Sequence, residues 1–225
     1  MTLHPELLAA LLADVRLPVA GHTQSSGLEP ALVAGTVTAA TIPSFLTLRL
    51  RTVVRTEAAT AVLARASVLA GESWGEESLA AVQEVWAART PSAAMRRTSR
   101  TLGRALLRLA PRLVPQVRLL EFPPEPPRPV VLGVLCGLGG VDAATTARLV
   151  AYDDVQTVVA AALKLLPLDP AEATTWVVNA FDDIDAAVAA VADVTSPEQV
   201  PSRNAPVLEE HAERHAHTTR RLFSA

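Results

Sequence analysis

Three histidines near the carboxyl end come closest, by type and spacing, to a metal site. His211 and His215 are four positions apart, so both would lie on one face of a helix, and His217 follows them. Glu213 falls on another face, no third ligand is identifiable, and the stretch is not the HExxH pattern of zinc hydrolases. The pattern therefore favours a solvated polar helix face. His211 and His215 are at most candidates for a weak contact with a transition metal.

No other group of residues forms a recognisable catalytic motif. The sequence lacks the GxxxxGK[ST] phosphate-binding loop and the GxSxG nucleophile motif. Cys136 is the single cysteine, which excludes an intramolecular disulfide and a multi-cysteine zinc site, and its apolar surroundings favour a small buried side chain. Asp182, Asp183 and Asp185 are typical of a solvated helix face. We therefore predict a protein that is not an enzyme and needs no cofactor.

One predicted helix carries a basic ridge, in a stretch without acidic residues from position 89 to position 120. The ridge comprises Arg96, Arg97, Arg100, Arg104 and Arg108. Like charges at this spacing repel by about a few tenths of a kcal/mol per pair, so we expect the ridge to meet acidic groups in the fold or on a partner. A nucleic-acid interface is the alternative, but this helix has no aromatic residue and the chain's net charge is −3.

The carboxyl-terminal tail, residues 206–225, is the predicted docking element. Leu222 and Phe223 form an apolar pair that favours burial, and Arg220 and Arg221 beside it could fix its orientation against acidic groups. Two alternatives remain open from the sequence. The tail packs on its own domain, or it docks into a partner protein.

The composition predicts a helical protein with a sizeable apolar core. Half of the 225 residues are hydrophobic and only 4% are aromatic, so leucine, valine and alanine must fill the core, and alanine and leucine favour helix. Residues 1–141 carry 14 basic and 10 acidic side chains, whereas residues 142–225 carry 6 and 13. The net charge gives no general affinity for nucleic acid or an anionic membrane. No apolar stretch reaches the ~18 residues of a membrane span, so we expect a soluble, cytoplasmic protein.

The chain reads as successive amphipathic helices with no strand pattern and no repeat. We predict helices over about 3–15, 29–35, 41–70, from 76 onward, 92–110, 129–139, 142–166, 169–194 and 207–217. Ser92, Asp142 and Asp169 mark helix starts, and Pro111 marks a stop. The fold class is all-α, a single-domain bundle of roughly ten helices over residues 1–225.

Two segments interrupt this helical pattern. Residues 14–29 form a long loop of glycines and small polar residues, with leucines on both sides that should pin its ends. Residues 122–129, FPPEPPRP, contain five prolines and must be extended. This segment could link two domains. We favour a rigid strap across one domain, because neither half has a self-sufficient pattern.

Stretches at opposite ends of the chain resemble the UreF family of urease accessory proteins. In the loop, D-x-R-L-P-x-x-G begins at Asp14, and S-x-G-L-E ends at Glu29. In the tail, Arg214, His215, Arg221, Leu222 and Phe223 match an R-H-x5-R-L-F pattern. This chain departs from the family at Ala216, where glutamate is usual, and at Thr219, where an aromatic residue is common.

Two internal stretches extend the resemblance. The basic helix matches S-x-x-x-G-x-x-L-L from Ser99 to Leu107, and Gly103 within it would permit close packing. A later block begins P-V-x-x-G at Pro129 and ends A-A-x-[RK]-L-x-P-L, with Lys164 at the basic position. Asp169 and Pro170 replace a glycine–glutamine pair usual after this block.

The resemblance implies a scaffold and chaperone without catalytic activity of its own. Such a protein would bind the accessory protein UreD, also called UreH, recruit the GTPase UreG, help pass nickel to apo-urease, and dimerise within that complex. Lys164, the only lysine, is either a snorkelling side chain at a helix end or a contact to the GTPase. The residues that we expect to bind partners are Ser25, Gly27, Glu29, Arg100, Lys164, Arg214, His215, Arg220, Arg221, Leu222 and Phe223.

Two other functions remain open. One is a GTPase-activating protein that inserts an arginine into the UreG site, where it would stabilise transition-state charge. The other is a weak nickel-binding module centred on His211 and His215. We also predict that truncation before Arg220 abolishes the complex with a UreD-type protein and leaves the helical content intact.

Overall fold

The computed structural model describes residues 3–14, 17–19, 23–70, 76–218 and 222–223. Over these residues the backbone forms α-helices and short 3-10 segments and no strand, which confirms the all-α prediction with a helix number close to ten. The helices are α1 Pro5–Leu12, α2 Leu28–Val33, α3 Ile42–Arg51, α4 Val53–Leu69, α5 Glu76–Arg89, α6 Ala93–Leu113, α7 Arg128–Leu138, α8 Ala143–Leu165, α9 Pro170–Asn179, α10 Phe181–Ala189 and α11 Pro206–Ala216.

Helix α4 lies at the centre of the molecule and packs on α5, α7 and α8. Its buried positions are mostly alanine and valine, small side chains that let neighbouring helices approach closely. At the contact with α7, a Cβ added to Gly133 would lie 2.1 Å from the carbonyl oxygen of Ala61. Buried Cys136 on α7 is part of this core, as the sequence predicted, and burial raises the pKa of its thiol to about 11.

Side-chain caps fix several helix starts where the sequence predicted them. Ser92 Oγ accepts the Met95 N–H at 3.2 Å, and Asp142 Oδ1 accepts the Thr145 N–H at 2.8 Å. Each bond satisfies one of the amides that the first turn of a helix leaves without a partner.

The proline-rich segment lies against α6. Pro126 and Pro127 are buried there, and a Cβ on Gly103 would fall 2.0 Å from the Pro126 carbonyl oxygen. The segment is shorter than its predicted range, because α7 already begins at Arg128.

The predicted helix over 41–70 is broken at Thr52. This residue adopts φ −123° and ψ −102°, and its Oγ1 donates to the Leu48 carbonyl at 2.6 Å. A threonine hydroxyl that bonds back to the preceding turn competes with the helical backbone and bends it. The continuous helix that the apolar periodicity indicated was therefore wrong at this position.

Two further boundaries differ from the prediction. Pro111 does not end α6, which continues to Leu113, because a proline in the last turn removes only one backbone donor. The helix predicted over 169–194 divides at Ala180, whose N–H is shared between the carbonyls of Trp176 and Val177. The second part, α10, ends at Ala189.

At the amino end, α1 stops at Leu12, and the predicted end of that helix at Val15 falls outside the described residues. Leu8 and Leu12 of α1 are buried against the core. None of the helices within the described ranges has the length and apolarity that crossing a membrane would require.

Candidate functional site

A tight turn before α2 forms the first part of the site. Ser26 and Gly27 both adopt positive φ, at 49° and 81°, and the Leu28 N–H bonds the Ser25 carbonyl at 2.9 Å. Glycine takes this left-handed conformation without steric cost, whereas other residues do so rarely. Leu28, directly after the turn, is fully buried in the core. This burial fixes the carboxyl end of the loop, as the sequence predicted.

The end of the chain binds directly to this turn. The carboxylate of Glu29 accepts the Leu222 N–H at 2.6 Å and the Phe223 N–H at 2.9 Å. Glu29 is 7% exposed and Phe223 is 3% exposed, so these bonds form in a site from which water is largely excluded. Hydrogen bonds to an ionised carboxylate are about twice as strong as those between neutral groups. Glu29, Lys164 and His215 surround Phe223. We use the name tail seat for these four residues.

Two basic side chains complete the tail seat. His215 Nε2 lies 3.5 Å from Glu29 Oε2 and 3.3 Å from the Phe223 carbonyl oxygen. A proton on this nitrogen lets it donate to either oxygen. Lys164 Nζ lies 5.3 Å from the centroid of the Phe223 ring, within the range of a cation–π contact. The tail is thus held through its backbone, its ring and its carbonyl.

The buried position of His211 and His215 contradicts the predicted solvated face. Their exposed fractions are 4% and 6%, because this side of α11 packs on α2. His211 Nε2 lies 2.9 Å from Thr36 Oγ1, and burial lowers the pKa of His211. The shared face was predicted correctly, but it points into the protein.

Both histidines have structural contacts that account for their position. Within the described ranges, no group of three histidine, cysteine or acidic side chains is placed to hold a metal ion. The proposal of a metal module at His211 and His215 gains no support from this geometry.

Glu213, on a different face of α11, fixes this helix to the start of α6. Its carboxylate accepts the Ser92 hydroxyl at 2.7 Å and the Ala94 N–H at 2.9 Å. These bonds, led by that from Ala94, lower the pKa of Glu213. A negative charge at a helix N-terminus is favourable. The contact sets the position of α11 and hence of His215.

A cleft of about 180 Å³ opens beside the tail seat, between the turn and α3, α4, α6 and α8. Arg49 makes two hydrogen bonds to Asp154, at 2.6 and 2.8 Å, and the Ser26 hydroxyl donates to the same carboxylate at 3.2 Å. Arg128 pairs with Asp153 at 3.1 Å. His215 lines both the cleft and the tail seat, so the two are contiguous.

Two acids of the cleft, Glu57 and Asp153, hold protons more readily than acids in water. Burial raises the pKa of Glu57 to about 7, against a smaller lowering by the Trp86 indole N–H, which donates to Glu57 at 2.7 Å. Burial also raises the pKa of Asp153, opposed by Arg128. The titration of Glu57 therefore changes the charge of the cleft near neutral pH.

The structure brings six of the predicted partner-binding residues together around the tail seat, and it leaves the side chains of three other described ones outside it. The guanidinium carbon of Arg100 lies 6.0 Å from the centroid of the Trp86 ring. Arg214 is exposed and pairs with Glu210 on its own helix. Leu222 is 63% exposed. The predicted contacts of Arg220 and Arg221 fall outside the described residues.

The sequence interpretation missed the charged residues of the cleft. They are Arg49, Glu57, Arg128, Asp153 and Asp154. One signal was available: two adjacent aspartates in the middle of α8, where most of the flanking residues are apolar. The others look like ordinary surface charges in the sequence.

Comparison with known proteins places the chain in a family. The UreF family model matches residues 36–180. The chain is 34% identical to the urease accessory protein UreF of Mycobacterium sp. (strain JLS), with both chains covered completely. It is 36% identical to UreF of Mycobacterium tuberculosis (strain H37Rv), over 94% of this chain and 95% of the relative. It is 35% identical to UreF of Mycolicibacterium vanbaalenii (strain PYR-1), over 96% of each. The full-length similarity and the matched family model together show that the chain belongs to the UreF family of urease accessory proteins.

Proposed function

We propose that this protein is a cytoplasmic scaffold for nickel insertion into urease. It binds a UreD/UreH-type accessory protein, recruits the GTPase UreG, and works with apo-urease without catalysing a reaction. Family membership supports the assignment to urease maturation. The partners follow from the resemblance described above.

The single observation that carries the proposal is the tail seat. The Phe223 side chain and the amides of Leu222 and Phe223 make contacts within the chain. The adjacent Leu222 side chain is 63% exposed. An apolar side chain on a rigid support is a good anchor for a partner, because little conformational entropy is lost on binding. The seated tail therefore presents Leu222 to the UreD-type protein.

The turn and the tail form one continuous surface. Ser25 and Gly27 position Glu29, Glu29 holds the tail, and Lys164 lies over the Phe223 ring. Lys164, a candidate contact to the GTPase, is thus a neighbour of the tail, which we expect to bind the UreD-type protein. We propose that the UreD-type protein and the GTPase bind on adjoining parts of this surface, and that the chain dimerises within the same complex.

Reconstitution of urease activation tests this function. Apo-urease would be incubated with nickel, GTP, and purified UreD-type and UreG-type proteins, with and without this chain. We expect urease activity to depend on the chain and a stable complex to form on gel filtration. Equal activation in the absence of the chain would overturn the proposal.

A further inference from the structure

An exposed basic face runs along α6 on the side away from the cleft. Arg97, Arg104, Arg108 and Arg112 are all exposed. At 3.6 residues per turn, these four positions fall within about 80° of one another around the helix axis and span about 22 Å. The cleft is lined by other α6 residues, Ala94, Met95, Thr98, Ser99 and Leu102.

The fold neutralises only part of this face. Arg104 pairs with Glu125 of the proline-rich segment, a pair that is half exposed on both sides. Glu213 of α11 lies near Arg97. In the described part of the chain, neither Arg108 nor Arg112 takes part in a hydrogen bond or ion pair. The sequence predicted that the ridge meets acidic groups in the fold or on a partner. Within the fold it does so at Arg97 and Arg104, whereas Arg96 donates to backbone carbonyls and Arg100 lies over the Trp86 ring.

Arg108 lies between two like charges on this face. Arg104, Arg108 and Arg112 are successive i,i+4 neighbours, and like charges at this spacing cost about 0.2–0.5 kcal/mol per pair. Arg112 lies in the last turn, where the helix dipole favours a cation, but Arg108 has no such compensation. An opposing row of carboxylates would remove this repulsion.

We infer that the basic face is a docking surface for an acidic surface of a partner protein in the urease maturation complex. The inference rests on the proposed function. The charge complementarity is to a protein, because α6 contains no aromatic residue on which bases could stack and the chain as a whole has net charge −3. Interactions of this kind raise the association rate and weaken with salt.

The test uses a triple variant of the basic face and a matched control. The test variant is Arg104→Gln, Arg108→Gln and Arg112→Gln, which keeps good helix formers. The control variant is Arg51→Gln, Arg148→Gln and Arg203→Gln, three exposed arginines elsewhere with the same total charge change. Affinities for purified UreD-type and UreG-type proteins would be measured at 50, 150 and 500 mM NaCl.

We expect the test variant to bind one of the two proteins at least tenfold more weakly at 50 mM NaCl, with the difference shrinking at 500 mM. The control variant should stay within twofold of the unmodified chain. Arg108→Gln alone removes no contact seen in the fold, and we expect a loss of about threefold. If the triple variant loses helicity, the affinity of the Arg108→Gln variant tests the proposed docking surface instead.

Three outcomes would overturn the inference. In the first, the complex forms and all variants bind within twofold of the unmodified chain, which leaves the proposed function intact. In the second, a 20-base-pair DNA duplex binds more tightly than either protein, or sedimentation shows that the test variant mainly loses self-association. In the third, the unmodified chain binds neither protein, and the proposed function falls as well.

Discussion

The amide of Phe223 donates a 2.9 Å hydrogen bond to the carboxylate of Glu29, 194 positions earlier in the chain. The same carboxylate accepts the Leu222 amide, so one acidic side chain binds two successive amides of the tail. The tail seat thus joins two stretches from opposite ends of the sequence, both of which carry motifs that resemble the UreF family. It also leaves Leu222 as the exposed member of the pair.

We expect Glu29→Gln to loosen the tail. The amide nitrogen of glutamine cannot accept a hydrogen bond, so one tail amide loses its buried acceptor, at a cost of about 1–3 kcal/mol. Hydrogen exchange of the Leu222 and Phe223 amides should become at least tenfold faster. Glu84→Gln, at an exposed position on α5, is the control and should leave both rates unchanged. Unchanged rates in Glu29→Gln would show that the tail is held by other contacts.

The contribution of Glu57 to the stability of the protein should fall as the pH rises towards 7. Because the pKa of Glu57 is raised from 4.5 to about 7 in the folded protein, the folded state binds more protons than the unfolded state between these values. This group alone reduces the free energy of unfolding by up to about 1.4 kcal/mol per pH unit in that window, and the loss is complete above pH 7. Urea unfolding from pH 5 to 8.5 measures it.

Glu57→Gln should remove this contribution, because glutamine keeps an acceptor for the Trp86 indole but does not titrate. The variant's unfolding free energy should vary less with pH than that of the unmodified chain, and the two curves should separate most above pH 7. Parallel curves across the whole range would show that Glu57 titrates normally.

We expect Gly103→Ala to destabilise the fold even though alanine is the better helix former. Its Cβ would lie 2.0 Å from the Pro126 carbonyl and 2.8 Å from the Pro127 carbonyl carbon, so the proline-rich segment must move. The expected cost is about 1–3 kcal/mol by chemical denaturation. Thr101→Ala, two positions earlier on the exposed side of α6, is the control and should be neutral or slightly stabilising. A stabilised Gly103→Ala would mean that the segment does not press on α6.

The thiol of Cys136 should resist alkylation. It is fully buried and its pKa is raised to about 11, so little thiolate forms and reagents cannot reach it. Iodoacetamide at pH 8 should label the folded protein more than a hundredfold more slowly than the urea-unfolded chain. Comparable rates in both states would place Cys136 at a surface.

Local signals in the sequence predicted the helix starts, because a cap is a contact between a side chain and its own backbone. Asp142 and Asp169 each bond an amide within the following three residues, and both were identified. The breaks at Thr52 and Ala180 were missed. The apolar periodicity continues across each of them, while the break itself depends on how the flanking helices pack.

The candidate site could not be predicted from local sequence patterns, because it is formed by contacts between residues that are distant in the chain. Spacing placed His211 and His215 on one face, but only the position of α2 shows that this face meets Glu29 and Thr36. Likewise, Glu57 and Asp153 belong to different helices and come together in the cleft only through folding. Glu29 itself was found through the family resemblance, not through its chemistry.

The affinity of this chain for a purified UreD-type protein tests the central claim most directly. Three variants would be compared by titration: a chain truncated before Arg220, Leu222→Asn, and Val207→Asn as an exposed apolar control on α11. We predict no measurable binding after truncation, a loss of at least tenfold for Leu222→Asn, and a change of less than twofold for Val207→Asn, all with unchanged helical content. Binding by the truncated chain as tight as that of the full chain would contradict the claim that the seated tail docks the partner.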